Sequence, residues 1–169
     1  ANQLITIGKT TPILTVTSAN TLIVSNTLTA TVTTTATGGG AFSYSISNGS
    51  GSAIVNPTTG LISAISVGTI TLTVTSVGDT NYNGATTSQL ITITKGGQTL
   101  TVTSASTMIV DGTMTASVST TATFGRGGTF SYGIINGTGI ATVNPTSGLI
   151  TAIQVGMVTV TVTSSGGAD

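Results

Sequence analysis

The stretch Thr69-Ile70-Thr71-Leu72-Thr73-Val74-Thr75 decides the fold class. It alternates threonine with an apolar residue, so Ile70, Leu72 and Val74 fall on one face of an extended strand and the hydroxyls on the other. A helix would scatter the same side chains around its axis. Its twin, Val158-Thr159-Val160-Thr161-Val162, begins 88 positions after Ile70. Further rows run through Leu28, Ala30 and Val32, matched by Met114, Ala116 and Val118, and through Phe42, Tyr44 and Ile46, matched by Phe130, Tyr132 and Ile134. One apolar and one polar face per strand imply two sheets packed over a shared core. The chain is predicted to be all-β, as tandem sandwiches of about seven strands each.

Composition narrows the chemistry. Among 169 residues there are 41 Thr and 23 Gly, but only 3 Lys+Arg and 3 Asp, with no Glu, His, Cys or Trp. General acid/base and nucleophilic catalysis draw on residue types that are almost missing here, so no enzyme is expected. Zinc and calcium sites need clustered nitrogen, sulfur or carboxylate ligands, and no cofactor or metal is expected. A net charge of zero offers no basic surface for nucleic acid. No apolar run approaches the ~18 residues of a spanning helix, so membrane insertion is not expected; no signal peptide is visible at the start, which says little about export because Ala1 begins in mid-pattern. With 38% hydrophobic and 4% charged residues, the chain does not read as disordered. Zero cysteine fits a secreted bacterial protein and is compatible with cytosol.

Internal repetition organises the sequence. Leu14-Thr15-Val16-Thr17-Ser18-Ala19 returns at Leu100–Ala105, and Phe42-Ser43-Tyr44 at Phe130–Tyr132. Val55-Asn56-Pro57-Thr58-Thr59-Gly60-Leu61-Ile62 returns at Val143–Ile150 with one change, Thr59 to Ser147. The spacing is 86 residues, becoming 88 after a two-residue insertion around Arg126. Gln3-Leu4-Ile5-Thr6-Ile7 also matches Gln89-Leu90-Ile91-Thr92-Ile93. The expected organisation is therefore a closing strand of a preceding, absent repeat at 1–8, a complete domain at 13–94, and a second domain at 99–169 that lacks its last strand. Short linkers are expected from Gly8 to Pro12 and from Lys95 to Thr99. Two explanations fit: a piece of a longer array, or strand exchange in which Leu4, Ile5 and Ile7 complete the open sandwich of another chain.

The run Ala141-Thr142-Val143-Asn144-Pro145-Thr146-Ser147-Gly148-Leu149-Ile150-Thr151-Ala152, followed by Gly156 and the 159–163 strand, resembles the group 2 type of bacterial immunoglobulin-like repeats found in large surface adhesins. The first copy carries the same run from Ala53 to Thr75, and Gly78-Asp79-Thr80-Asn81-Tyr82-Asn83 is similar to the turn near the linkers of such arrays. The resemblance implies an immunoglobulin-like fold, an extracellular or bacterial cell-surface location, and neighbouring repeats of the same or another chain as partners. It names no adhesive target.

Individual candidates are few. Asn48-Gly49-Ser50 and Asn136-Gly137-Thr138 satisfy the N-glycosylation sequon, while Asn-Gly also reads as a type I′ hairpin turn. Lys9 and Lys95 occupy equivalent places after a closing strand and read as charged gatekeepers rather than isopeptide donors, since no Glu accompanies them. Asp79, Asp111 and Asp169 read as turn residues, too few per junction for calcium. Tyr82 is expected to place its hydroxyl at the surface. Arg126 and Phe124, in the insertion, are the candidate loop contacts. The expected function is a structural stalk or filament segment of a large bacterial surface adhesin, of the gliding or biofilm kind. The alternatives are a carbohydrate- or receptor-binding module, or a subunit that self-assembles by strand exchange.

Overall fold

The structure, a computed structural model, describes residues 1–38, 40–122 and 128–167. These contain strands and no helix, as the alternation predicts. They divide into two units, Ala1–Gly96 and Gly97–Asp169.

Unit 1 carries nine strands: β1 (Leu14–Val16), β2 (Thr21–Ile23), β3 (Thr27–Thr29), β4 (Val32–Thr34), β5 (Phe42–Asn48), β6 (Ser52–Val55), β7 (Leu61–Ser66), β8 (Gly68–Ser76) and β9 (Ala85–Thr94). One sheet has the order β2-β9-β8-β5, a second β3-β7-β6, and β1 and β4 form a short ribbon. The Thr69–Thr75 stretch is the heart of β8, paired antiparallel with β5 on one side and β9 on the other. Its apolar face turns to Ile62 and Ala64 of β7 and Ala53 of β6, and Leu22, Ile91 and Ile93 complete the layer. Ile62, Ile70, Leu72, Val74 and Ile91 are fully buried. Each such side chain contributes roughly 1.5–3 kcal/mol by leaving water.

Three features depart from the local reading, each for a hydrogen-bonding reason. The row Leu28–Ala30–Val32 is not one strand: β3 pairs with β7, β4 with β1, and the chain changes partners between them. There the Ala30 N–H donates to the Gly60 carbonyl at 2.9 Å, and the Thr31 carbonyl accepts from Thr17 at 2.8 Å. Breaks of this kind help give unit 1 nine strands, several of them only three residues long. Second, Asn48-Gly49 is not a hairpin turn, because β5 and β6 lie in different sheets. Neither residue has the positive φ that a type I′ turn requires. Instead the N–H groups of Gly49 and Gly51 both donate to the Thr69 carbonyl, at 3.0 and 3.1 Å, and a Cβ on Gly49 would stand 2.8 Å from that oxygen. Third, Thr10 is not in a free linker. It bridges to Tyr82, Pro12 is buried, and Ile13 exchanges hydrogen bonds with Thr35.

Between β7 and β8 the chain crosses from one sheet to the other over a single residue, Val67. Gly68 makes the corner with φ +129°, where a Cβ would collide with the Gly51 backbone. Gly156 repeats it at φ +142° against Gly139.

Unit 2 carries seven strands: β10 (Leu100–Val102), β11 (Thr113–Thr115), β12 (Val118–Thr120), β13 (Phe130–Asn136), β14 (Ile140–Val143), β15 (Leu149–Gln154) and β16 (Val158–Ser164). The β11-β15-β14 sheet and the β10-β12 ribbon reproduce their unit 1 counterparts, with the same bulge between the residues that open β6 and β14. The other sheet is reduced to β13-β16. Among the described residues no strand occupies the place of β9. The segment 107–109, which aligns with β2, is not a strand. The reason is plain from unit 1, where β2 bonds to β9 and to no other strand. The core shrinks accordingly: Ala116, Ala141 and Ile150 are buried, while Val158 and Val160 are only half-buried.

Candidate functional site

The feature most unlike a finished sandwich is the outer edge of β16. In unit 1 the same edge, on β8, is covered by β9 along its length, from Gly68 opposite Ile93 to Ser76 opposite Ala85. On its far side β9 runs parallel to β2, with Thr21, Leu22 and Ile23 beside Thr92, Ile93 and Thr94. The Thr92 N–H donates to the Asn20 carbonyl at 2.9 Å, and the Gln89 side-chain amide donates to the Ser18 carbonyl at 3.1 Å. Ile91 and Ile93 point inward, at 0% and 2% exposure.

In unit 2 the edge borders a cleft of about 350 Å³, lined by Met108, Val110, Ala141, Ala152 and Val158 among others. Their unit 1 equivalents are Leu22, Val24, Ala53, Ala64 and Ile70, all buried around Ile91 and Ile93. Val110 is 39% exposed where Val24 is 7% exposed. The alternation of β16 marked Val158 and Val160 as core residues. The roles of Met108 and Val110 were legible only by carrying the 86-residue spacing through 107–110, a stretch whose own pattern is not strand-like.

Leu4, Ile5 and Ile7 lie outside every sheet and are 94%, 75% and 92% exposed. Strand former by composition, residues 2–7 have no strand partner here, and an isolated strand gains no ladder hydrogen bonds.

A second cluster ties the segment after Gly8 to unit 1. The Asp79 carboxylate accepts from the N–H groups of Asn81 and Tyr82, at 2.7 and 2.8 Å, which is the turn role expected of it. The loop so formed holds the entering chain. Asn83 N–H donates to the Thr10 carbonyl at 2.9 Å, the Asn83 amide donates to the Thr11 hydroxyl at 3.1 Å, and Lys9 Nζ donates to the Asp79 carbonyl at 2.7 Å. Lys9 is thus a staple as well as a surface charge. The Tyr82 hydroxyl, expected at the surface, accepts from the Thr37 N–H at 3.1 Å in an exposed bond, and the residue as a whole is half-buried. Hydrogen bonding to Thr37, through its side chain first and its backbone second, holds this phenol below its ordinary pKa.

The remaining candidates are dispersed. Asn48 and Asn136 are exposed, and each amide oxygen accepts a backbone N–H at 3.0 Å, from Ala53 and Ala141. A glycan attaches at the amide nitrogen, so this bond serves the loop and leaves the sequon reading untouched. Asp111 sits at a left-handed turn with φ 60°, matching Ser25 at φ 69° in unit 1. Lys95 lies one residue beyond β9. Arg126 and Phe124, and with them Asp169, lie outside the described residues. Among the described residues no three acidic, His or Cys side chains gather into a metal-sized group.

Fold and site together define the class: an all-β protein of two sandwich units, one with its closing strand in place and one whose second sheet holds, among the described residues, β13 and β16 alone. No protein-family model matches the chain, and no curated protein matches it. Among solved structures, it is similar to the crystal structure of human CDH23 EC21-23, at 13% identity and a TM-score of 0.31, over 85% of this chain and 54% of that one. The chain thus spans about half the length of that structure.

Proposed function

We propose that this chain is a structural segment of an extracellular, adhesion-type protein, a stalk or filament portion built from bacterial immunoglobulin-like repeats of the group 2 type. The observation that carries this reading is what the two units share. The Asn56 and Asn144 side chains each cap two backbone N–H groups of the following turn at 3.0 Å. The next glycine in each case lies against the ring of Tyr44 or Tyr132, and the Gly68 and Gly156 corners coincide. Repetition has thus kept the parts that set strand crossing and loop closure. Outward faces are threonine-rich and nearly uncharged, which suits scaffolding whose strength does not depend on salt. Short connections between successive sandwiches limit bending, so a run of them gains reach with each copy.

The test is to display one, two and four copies of the chain on a bacterial surface, between a membrane anchor and a terminal epitope. Antibody access to the epitope on encapsulated cells is expected to rise with copy number. Access that stays constant, or specific capture of a glycan by the chain alone on a glycan array, would overturn the stalk reading.

A further inference from the structure

We propose that Asn83 is a self-modifying site of unit 1: its side chain closes onto the Gly84 nitrogen as a succinimide, loses ammonia, and opens with water to aspartate or isoaspartate. This goes beyond the stalk reading and does not depend on it, because the chemistry needs only the chain and water.

The chain holds three Asn-Gly dipeptides, at 48–49, 83–84 and 136–137. Glycine after asparagine leaves the ring-closing nitrogen unobstructed, since no Cβ stands beside it. By dipeptide the three sites are alike, and the structure separates them. In the first and third the glycine N–H is held, by the Thr69 carbonyl at 3.0 Å and the Met157 carbonyl at 3.1 Å. Asn48 and Asn136 each end a strand, in register with Ile70 and Val158. Their amide oxygens accept from Ala53 and Ala141, both at 3.0 Å. Ring closure there breaks two hydrogen bonds and releases a strand end.

Asn83 belongs to no strand. Its own N–H donates to the Thr10 carbonyl at 2.9 Å, and ring closure does not require that bond to break. Among the described residues the Gly84 N–H makes no hydrogen bond. The Asn83 side chain has one bond to give up, from Nδ2 to the Thr11 hydroxyl at 3.1 Å, and that nitrogen is the leaving group.

In the first step the Gly84 N–H gives its proton to hydroxide and the nitrogen attacks Asn83 Cγ. The N–Cγ bond forms, the Cγ–Nδ2 bond breaks, and Nδ2 leaves as ammonia with a proton from water. Water then adds to one of the two ring carbonyls. Opening at Cγ restores the main chain with an aspartate; opening at the α-carbonyl routes the main chain through Cβ, as isoaspartate. Overall one water enters and one ammonia leaves, with no change of oxidation state. Either product puts a carboxylate where an amide donated to Thr11, in a loop that already holds the Asp79 carboxylate. The hold of this loop on Thr10 and Thr11 is thereby loosened.

The experiment ages the full 169-residue chain in warm, mildly alkaline buffer, folded and in urea, and follows each Asn-Gly peptide by mass spectrometry. In urea the three sites are expected to react at similar rates. In the folded chain Asn83 is expected to lead by about tenfold, from the additional hydrogen bonds that the other two must break. Asn83→Gln is expected to stop the reaction at that peptide alone. In the aged chain and in Asn83→Asp, hydrogen exchange is expected to quicken at the amides of Thr10 and position 83, with β8 unchanged. Equal rates at the three sites of the folded chain, a lead by Asn48 or Asn136, or the same ranking in urea as in the fold would each overturn the assignment. Unaltered exchange at Thr10 after ageing would overturn the loosening.

Discussion

Units 1 and 2 share their turns, corners and β3-β7-β6-type sheet, yet one encloses a core and the other leaves half of it open. Val74 and Val162 are the same residue type at the same place on equivalent strands, fully buried in one unit and half-buried in the other. The difference is one strand. β9 contributes Ile91 and Ile93, covers the edge of β8, and supplies the partner that makes β2 a strand. A sandwich of this kind is therefore closed by its last strand, and much of its burial is conditional on that strand.

The largest expected effect breaks the comparison at its root. Ile91→Ala removes a fully buried side chain, and its cost to unit 1 is expected to be about 2–5 kcal/mol. Val158→Ala, at a half-buried position of unit 2, is expected to cost under about 1.5 kcal/mol. Urea unfolding followed by NMR signals of each unit measures both; equal costs would mean that β9 does not set the difference. Next in size, Gly68→Ala and Gly156→Ala force a side chain into a left-handed corner against backbone, and each is expected to cost about 1–3 kcal/mol. Here the two units should agree, since the corner does not depend on the closing strand. Smaller again, Asn56→Ala and Asn144→Ala each leave two turn N–H groups without their acceptor, for roughly 1 kcal/mol in thermal or urea unfolding.

The smallest effect concerns pH. A phenol whose folded pKa is depressed contributes stability above its unfolded pKa of about 10, and that contribution is lost as pH falls through the folded value. Tyr82 is such a group, so it adds nothing through ionisation at neutral pH. With three Asp and three Lys+Arg in the chain, the melting temperature is expected to be nearly flat from about pH 4 to 9. Site-resolved NMR is expected to show the Tyr82 phenolate forming at a lower pH than in free tyrosine. Tyr82→Phe should leave the plateau flat while lowering it slightly in unit 1 alone.

How much of this was legible in the sequence follows the range of the interactions. Alternation placed Ile70, Leu72 and Val74 in the core because period two is a property of one strand and needs no partner. The repeat exposed the likeness of residues 3–7 to 89–93 for the same reason. Pairings between distant segments left no local mark. The parallel β2–β9 ladder, the Thr10–Tyr82 bridge and the Lys9 bond to Asp79 join residues about seventy positions apart, and nothing in either partner's surroundings selects the other. Asn48-Gly49 misled because the dipeptide carries a strong hairpin signal, whereas the Thr69 carbonyl draws the loop across to the other sheet. The row through Leu28, Ala30 and Val32 is apolar on one side, as a strand should be, but its hydrogen-bond partners change midway.

The most direct test is native-state hydrogen exchange on β8 and β16 of the 169-residue chain, at a concentration where sedimentation shows it monomeric. The expected result is protection of every amide from Ile70 to Val74, and fast exchange at alternate amides of Val158–Val162 that face the open edge. Uniform protection along β16 would mean that both of its edges are covered in the monomer, and would contradict the contrast drawn between the two units.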